Sequence, residues 1–263
     1  MNTAFPRPRL VVAGWLPGAE PSSAPVVDAL LGSLAAGWET MGSATSMNAS
    51  DDELRTAWRD VDGFVLSNPP FSTGITPARV FTGRLIRLFP HTAMEDGSRL
   101  TSEPMRDRFL TLLFSLARFR QVADSGSVAQ LTRFHAAHKY LLLAYSEAGM
   151  RELGGLAATA SERSWAEVVQ AYRAVFVRSL ARPARPASHA NALAHAFGHV
   201  SDHLEPSQRQ DFVRLVGRFV AGEHVLQDAL GLLRGWADQH GIEYLQAQTY
   251  LAPYPDLLRL SAS

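Results

Sequence analysis

The sequence predicts an α+β protein, in which a small α/β domain is followed by an all-α helical bundle. Up to about residue 100, short apolar runs alternate with segments of helical spacing. After Pro104, nearly every segment repeats its apolar residues with a period near 3.6. The 263 residues are 46% hydrophobic, which excludes wholesale disorder and is enough for one large or two modest domains. We expect the α/β domain over 1–100 and the helical domain over 104–263.

The first hundred residues contain alternating strand and helix candidates, as a small parallel sheet requires. The predicted elements are, in order, a strand in RLVVAGWL, a helix over 26–38, a helix over 51–60, a strand in VDGFVLSNPP and a helix over 77–88. Acidic residues in the first turn of DDELRTAWRD interact favourably with the dipole of the second helix. The polar stretch MEDGSRLTSEP (94–104) predicts a linker between the two domains.

The second part of the chain contains a series of amphipathic helices. They are predicted in MRDRFLTLLFSLARFRQVA and SVAQLTRFHAAHKYLLLAYSEAG and over 164–180, 188–204, 207–221, 225–240 and 242–251. Gly149 is placed to end the second of them. Ser164 and Glu167 form a capping-box pattern at the start of the third, and ARPARPAS ends it.

The composition excludes several classes of site. The chain contains no cysteine, so disulfides, thiolate nucleophiles and thiolate-bound zinc or iron–sulfur clusters are excluded. The formal net charge is zero, so any nucleic-acid site must be a local patch. No window approaches the roughly 18 consecutive apolar residues of a spanning helix, and the N-terminus lacks a signal-peptide pattern. We expect a soluble cytoplasmic protein without a membrane partner or cofactor.

The stretch RFHAAHKYLLLAYSE carries the strongest candidates for chemistry. His135 and His138 are three residues apart and share a helix face, and Lys139, the only lysine, follows them. These side chains can hold a phosphate or form an imidazole–ammonium pair for acid–base work. Alternatively, the histidines are core residues bonded to backbone carbonyls and Lys139 reaches solvent. A lysine is a compact point charge, so we predict that Lys139 holds an anion at the mouth of a histidine-lined groove and that Lys139→Arg loses function.

A second group of histidines lies in NALAHAFGHVSDHL. His195, His199 and His203 recur every four residues and form a stripe on the predicted helix. All three cannot ligate one ion, because residues i and i+8 are separated by roughly 12 Å along a helix. His195 and His199 remain weak candidates for a metal pair, although we expect no metal. Asn191, one turn earlier, can instead extend a polar groove.

Further candidates suit an RNA ligand. Residues 104–182 contain eleven cations and six acids, a local charge of +5, and Arg118 and Arg133 belong to this excess. Tyr250 and Tyr254 can present an aromatic platform for base stacking, or can pack onto the bundle. The arginines can equally form an ordinary solvated helix surface.

Four segments together resemble a known family. RDRFLTLLFSLARFR, FHAAHKYLLLAYS, NALAHAFGH and YLQAQTYLAPYPDLL are similar to the YbgA-like domain of unknown function over about residues 104–260. That domain often follows a thiouracil desulfidase-like (TudS-like) domain, and VVAGWLPG, DGFVLSNPPFSTG and FPHTAMEDGSRL resemble parts of it. The resemblance implies that residues 1–100 are a shortened, Rossmann-like remnant of a desulfidase that acts on thiolated uracil or thiouridine in transfer RNA.

The differences between this sequence and the family decide which of the family's properties we expect in this chain. The family holds a four-iron four-sulfur cluster on three cysteines, whereas Trp15 and Thr73, or Ser72, stand at the first and last positions here. The segment of the middle cysteine is missing. Desulfidase activity is therefore not expected.

Three functions follow from these observations. We expect a binding module for transfer RNA or a thiolated nucleotide, with a non-catalytic desulfidase remnant. One alternative is a small-molecule enzyme, in which His135, His138 and Lys139 face His195, His199 or Asn191 across an acid–base or metal pocket. The other is a scaffold for a protein partner, and a homo-oligomer is also open.

Overall fold

The structure, a computed structural model, describes residues 5–13, 38–40, 48–66 and 77–259. The chain divides into two compact units. Unit 1 contains the described residues up to Asp124 and the segment from Tyr254 onward, and unit 2 is Ser125–Pro253. This division lies about twenty residues after the predicted boundary, because the long helix that contains Pro104 groups with the sheet.

Unit 1 is built on a small parallel sheet. The described strands are β1 (Leu10–Ala13), β2 (Trp38–Thr40), β3 (Gly63–Leu66) and β4 (Ala93–Asp96), in the order β2-β1-β3-β4. All pairs are parallel, with Leu10 opposite both Trp38 and Gly63, and Gly63 opposite Ala93. The helices of the unit are α1 (Asp51–Ala57), α2 (Pro77–Leu88) and α3 (Glu103–Ser125).

An apolar cluster holds α1 and α2 against the sheet. Trp58 and Phe89 pack on Phe64 of β3, with ring centroids 5.6 and 5.2 Å from it. Gly63 is required at the start of β3, because a Cβ there would lie 2.7 Å from the carbonyl oxygen of Ala93. The close approach of β3 and β4 thus depends on a residue without a side chain.

The predicted linker over 94–104 is wrong. Ala93–Asp96 forms strand β4, and Gly97–Thr101 forms a 3₁₀ helix. Its polarity is misleading because Glu95 is buried and its carboxylate accepts a 2.7 Å hydrogen bond from Arg108 of α3. The predicted helix over 26–38 lies outside the described residues except for Trp38, which belongs to β2. Trp15, Ser72 and Thr73 also lie outside them.

Unit 2 is helical. Its helices are α4 (Val128–Ala137), α5 (Lys139–Tyr145), α6 (Glu147–Ala158), α7 (Trp165–Ser179), α8 (Pro186–Phe197), α9 (Pro206–Val220), α10 (Leu226–Gln239) and α11 (Glu243–Gln246). The predicted capping box of Ser164 and Glu167 is present at the start of α7. The predicted combination of a small parallel sheet with a mostly helical remainder is therefore confirmed. No helix in the described ranges is both long and apolar enough to cross a bilayer.

Several predicted helix ends in unit 2 are wrong. The helix expected over 127–149 is interrupted at His138 and again at Ser146, whose hydroxyl caps α6 by accepting from the backbone of Gly149. Gly149 is therefore inside a helix, where Ser179 leaves no space for a Cβ. The helix expected over 188–204 ends at Phe197, and the one expected over 242–251 stops after Gln246.

Candidate functional site

The interruption at His138 is joined to the C-terminal part of unit 2. Gln248 donates from Nε2 to the carbonyl of Ala136 (3.0 Å) and accepts at Oε1 from the backbone N–H of Tyr140 (3.5 Å). The N–H of Thr249 donates to the carbonyl of Ala137 at 2.8 Å. These contacts satisfy backbone groups that the break removes from the helical pattern. They also fix the position of Lys139, the first residue of α5.

His138 is a core residue. Its side chain is 1% exposed, and Nδ1 donates to the carbonyl of Phe134 at 2.8 Å. The imidazole stacks on the ring of Phe134, with centroids 3.9 Å apart, and meets Phe176 edge-on. This arrangement matches the alternative in which the histidine bonds to a backbone carbonyl.

His135 occupies a different environment on α4. Its Nδ1 lies 3.1 Å from the hydroxyl of Tyr172, and its ring packs against Gly154. Burial lowers the pKa of His135, and the positive charge of Lys139 lowers it further. His135 is therefore neutral near pH 7. Because α4 ends before His138, the three predicted residues do not share one helix face.

Lys139 lies exposed beside a cluster of aromatic residues. Its Nζ is 5.9 Å from the ring centroid of Tyr140, and the rings of His199 and Tyr244 are each 6.1 Å from the same centroid. The rings of His199 and Tyr244 are also exposed and lie 4.8 Å apart. We call Lys139, His199 and Tyr244 the Lys139 surface. Within the described ranges, no acidic side chain forms an ion pair with Lys139.

Tyr140 supports this surface from below. Its side chain is 2% exposed, and its hydroxyl lies 2.7 Å from Nε2 of His199. Burial raises the pKa of Tyr140, and the neighbouring hydroxyl of Tyr244 raises it further. The Tyr140 hydroxyl thus keeps its proton at neutral pH and holds the imidazole of His199 in place.

The predicted histidine stripe does not form. His195 is exposed on α8, but His199 lies beyond the end of that helix. His203 is in a separate 3₁₀ turn and stacks on His240, with ring centroids 5.3 Å apart. Asn191 is exposed on α8. Among residues that the structure describes, no group of three or more His, Asp or Glu side chains is arranged to hold a metal ion.

The arginines of residues 104–182, the segment with a local charge of +5, differ in how accessible they are to a ligand. Arg133 is exposed on α4. Arg118 lies in unit 1, where its guanidinium is 5.4 Å from the ring centroid of Phe5 and burial lowers its pKa to about 10. Arg108 and Arg120, also of α3, pair with the buried Glu95 and Asp62. Much of the local positive charge therefore serves the fold of unit 1.

Tyr250 and Tyr254 do not form an exposed platform. They are 2% and 3% exposed, in unit 2 and unit 1 respectively. The hydroxyl of Tyr250 lies 3.0 Å from Nδ1 of His189, and that of Tyr254 donates to Asp107 at 2.6 Å. The two tyrosines thus pack inward, which matches the alternative in which they do not stack on bases.

Three residues of unit 2 were missed by the sequence analysis. Tyr244 is an exposed aromatic residue in a four-residue helix, and nothing in IEYLQ distinguishes it from a packing residue. Gln248 lies in the QAQTY segment, where a long amide flanked by small residues is the only signal. His189 is buried, which lowers its pKa to about 4. Neither its burial nor its partner is visible in the sequence.

Comparisons with known proteins agree with the helical resemblance. Residues 139–255 match a family described as "Protein of unknown function (DUF1722)". The chain is 26% identical over 159 residues to the "Uncharacterized protein YbgA" of Escherichia coli (strain K12), which covers 60% of this chain and 94% of that protein. No solved structure matches the chain. The matched region contains the whole Lys139 surface, Tyr140 and Gln248. Residues 139–255 therefore resemble a YbgA-like domain of unknown function.

Proposed function

We propose that unit 2 binds structured RNA, with transfer RNA or a thiolated nucleotide as its ligand. The observation that carries this proposal is the exposed position of Lys139, which has no acidic partner in the described part of the chain. A lysine in this position can neutralise a phosphate of the nucleic-acid backbone. Such charge neutralisation is the dominant source of affinity for nucleic acids. The proposal rests on Lys139 and not on the total charge of the protein.

The aromatic members of the Lys139 surface suit the bases of the same ligand. Tyr244 and His199 present exposed rings beside the cation. Unstacked bases of single-stranded loops stack on such rings, and the phosphates that join them meet nearby cations. Because His199 is fixed by Tyr140, the ring does not have to be ordered when the ligand binds.

The helices that pack against α5 carry exposed polar side chains that are further candidates for RNA contacts. Helices α4 and α8 both pack against α5, the helix that Lys139 begins. Arg133 is exposed on α4, and Asn191 and His195 are exposed on α8. These residues supply a further charge and hydrogen-bonding groups for backbone or base contacts.

The acid–base alternative has less support. His138 is enclosed by Phe134 and Phe176, and Nδ1 of His135 is occupied by Tyr172. The ring of His138 is therefore enclosed, and His135 has only Nε2 left to act together with Lys139 on a substrate.

We further propose that unit 1 is a Rossmann-like remnant of a TudS-like domain. The support is the set of parallel strands in the order β2-β1-β3-β4, which is also the first part of the order in flavodoxin-like doubly wound sheets. The donor set of the family does not fit, because the chain has no cysteine to ligate an iron–sulfur cluster. We therefore propose no sulfur-removing step and assign unit 1 a supporting role.

The test is binding of the purified chain to bulk transfer RNA, thiolated and unthiolated, measured by fluorescence anisotropy over a salt series. We expect saturable binding that weakens steeply with salt, and Tyr244→Ala to weaken it by about 1–3 kcal/mol through lost stacking. Val213→Ala, at an exposed apolar position of α9, is the matched control and leaves binding unchanged. Absence of binding at low salt refutes the proposal, and a preference for thiolated RNA connects it to the desulfidase lineage.

A further inference from the structure

Unit 1 contains a cavity of about 990 Å³ at the amino ends of β1 and β3. Its lining residues are Arg7, Pro8, Arg9, Leu10, Val11, Thr56, Ala57, Trp58, Arg59, Asp60, Val61, Arg120 and Gln121. The volume lies at the upper end of the range of small-molecule pockets. Ligands of doubly wound sheets bind at the carboxyl edge of the strands, so this cavity is at the opposite edge.

The cavity has an excess of positive charge. Arg9 and Arg59 share one carboxylate, that of Asp60, at 3.0 and 3.5 Å. Arg7 is exposed and forms no ion pair with an acid in the described ranges. Arg120 pairs with Asp62, which lies just outside the lining. Four arginines face Asp60 and Asp62, and Asp124 also acts on Arg120, so the remaining positive charge favours an anionic ligand.

One of these arginines is held in a fixed orientation. Asp62 is fully buried and accepts from Nε and Nη2 of Arg120 at 3.2 and 3.1 Å. Nη2 of Arg120 also donates to the carbonyl of Arg7 at 3.1 Å, and the N–H of Arg9 donates to Asp62 at 2.7 Å. This network links α3 to the chain that enters β1, so the cavity wall is preorganised before a ligand arrives.

The apolar residues of the lining expose little surface to the cavity. Leu10, Val11, Trp58 and Val61 are buried residues of the sheet and of the segment after α1. The exposed lining is mostly polar and rich in arginine, which suits a phosphate-bearing ligand because guanidinium groups bind phosphate in a bidentate manner.

We infer that this cavity binds a phosphorylated small molecule, whose phosphate groups lie among Arg7, Arg9 and Arg59. The inference does not depend on RNA binding by unit 2, because it involves none of the residues of the Lys139 surface. A nucleotide-sized phosphate ester fits both the volume and the arginine-rich lining of the cavity.

The test is isothermal titration of the full chain with inorganic pyrophosphate and with ADP at constant ionic strength. We expect saturable one-site binding of both, with ADP the tighter. The double variant Arg7→Gln/Arg59→Gln weakens both at least tenfold, because each exposed guanidinium is lost without disturbing the Asp62 network. The matched control, Arg163→Gln/Arg185→Gln, removes two exposed arginines of unit 2 and leaves binding unchanged.

Three outcomes overturn the inference. These are no saturable binding by the wild-type chain at ligand concentrations up to about 10 mM, binding that the cavity variant leaves unchanged, and equal weakening by the control variant. Thermal unfolding establishes that each variant is folded. Lys139→Ala separates the two proposals, because it is expected to leave pyrophosphate and ADP binding intact.

Discussion

The hydroxyl of Tyr140 lies 2.7 Å from Nε2 of His199, and this bond ties the segment after α8 to the helix that Lys139 begins. Tyr140 is buried whereas His199 is exposed, so the bond connects the core of unit 2 to its surface. The orientation of an exposed ring is thereby determined by a buried hydroxyl. Tyr140 is a positioning residue for the Lys139 surface.

Tyr140→Phe is expected to remove this bond while keeping the ring. The loss costs about 1 kcal/mol of stability, which is typical of one hydrogen bond, and transfer RNA binding weakens severalfold because His199 is no longer held. Denaturant unfolding and anisotropy measure the two effects. Tyr254→Phe is the control, since it removes a hydroxyl that donates to Asp107 in unit 1 and lowers stability alone. Unchanged RNA affinity in Tyr140→Phe contradicts the positioning role.

Gln248→Ala is expected to destabilise unit 2. Gln248 bridges Ala136 and Tyr140 across the interruption at His138, and its loss leaves two backbone groups without these partners. We expect a decrease of about 1–3 kcal/mol in the free energy of unfolding. Chemical denaturation measures it, with Gln210→Ala at an exposed position of α9 as the matched control. Equal stability of the two variants would show that the interruption does not depend on Gln248.

The buried pair of Glu95 and Arg108 is expected to stabilise unit 1 far more than a surface pair does. The side chains of Glu95 and Arg108 are 4% and 6% exposed, respectively. Glu95→Gln leaves the buried guanidinium without a carboxylate and is expected to cost about 3–5 kcal/mol. The matched change Asp211→Asn breaks an exposed pair with Arg214 and is expected to cost about 1 kcal/mol or less. Similar unfolding free energies for the two variants would contradict this account of β4.

Acid is expected to destabilise unit 2 through His189. Burial lowers the pKa of His189 from 6.5 to about 4 in the folded chain. Between these values the unfolded chain binds a proton that the folded chain does not, so stability is full above pH 6.5 and falls as the pH decreases toward 4. The contribution is on the order of 3 kcal/mol.

His189→Gln tests this pH dependence. Compared with the wild type, its unfolding free energy is expected to fall less between pH 7 and pH 4.5, because the group responsible is absent. His195→Gln, which removes an exposed imidazole on α8, is the control and keeps the wild-type slope. Parallel pH profiles for His189→Gln and the wild type would be the contrary result.

The features that the sequence predicted best are those set by local pattern. The helices at 51–57 and 77–88 and the capped start of α7 agree with their apolar spacing and capping residues. Strand β4 was missed because the burial of Glu95 depends on Arg108, which approaches from another element. A polar residue appears exposed in a sequence whenever its partner is distant.

In the candidate site, too, the sequence predicted what is local and missed what depends on distant residues. Lys139 was identified because it is the only lysine, and its exposure needs no partner. The interruption of the predicted helix at His138 was not visible in the sequence, because Gln248, which bridges it, lies more than a hundred residues later. Tyr244 and His199 come together only through tertiary packing around Tyr140.

The most direct test of the account is the salt dependence of transfer RNA binding by Lys139→Ala. If Lys139 neutralises one phosphate, the slope of log affinity against log salt decreases in magnitude by about 0.7–0.9 relative to the wild type, and affinity at low salt falls. Arg214→Ala, which removes an exposed arginine already paired with Asp211, keeps the wild-type slope. A slope for Lys139→Ala equal to that of the wild type would show that Lys139 does not contact phosphate and would contradict the proposed function.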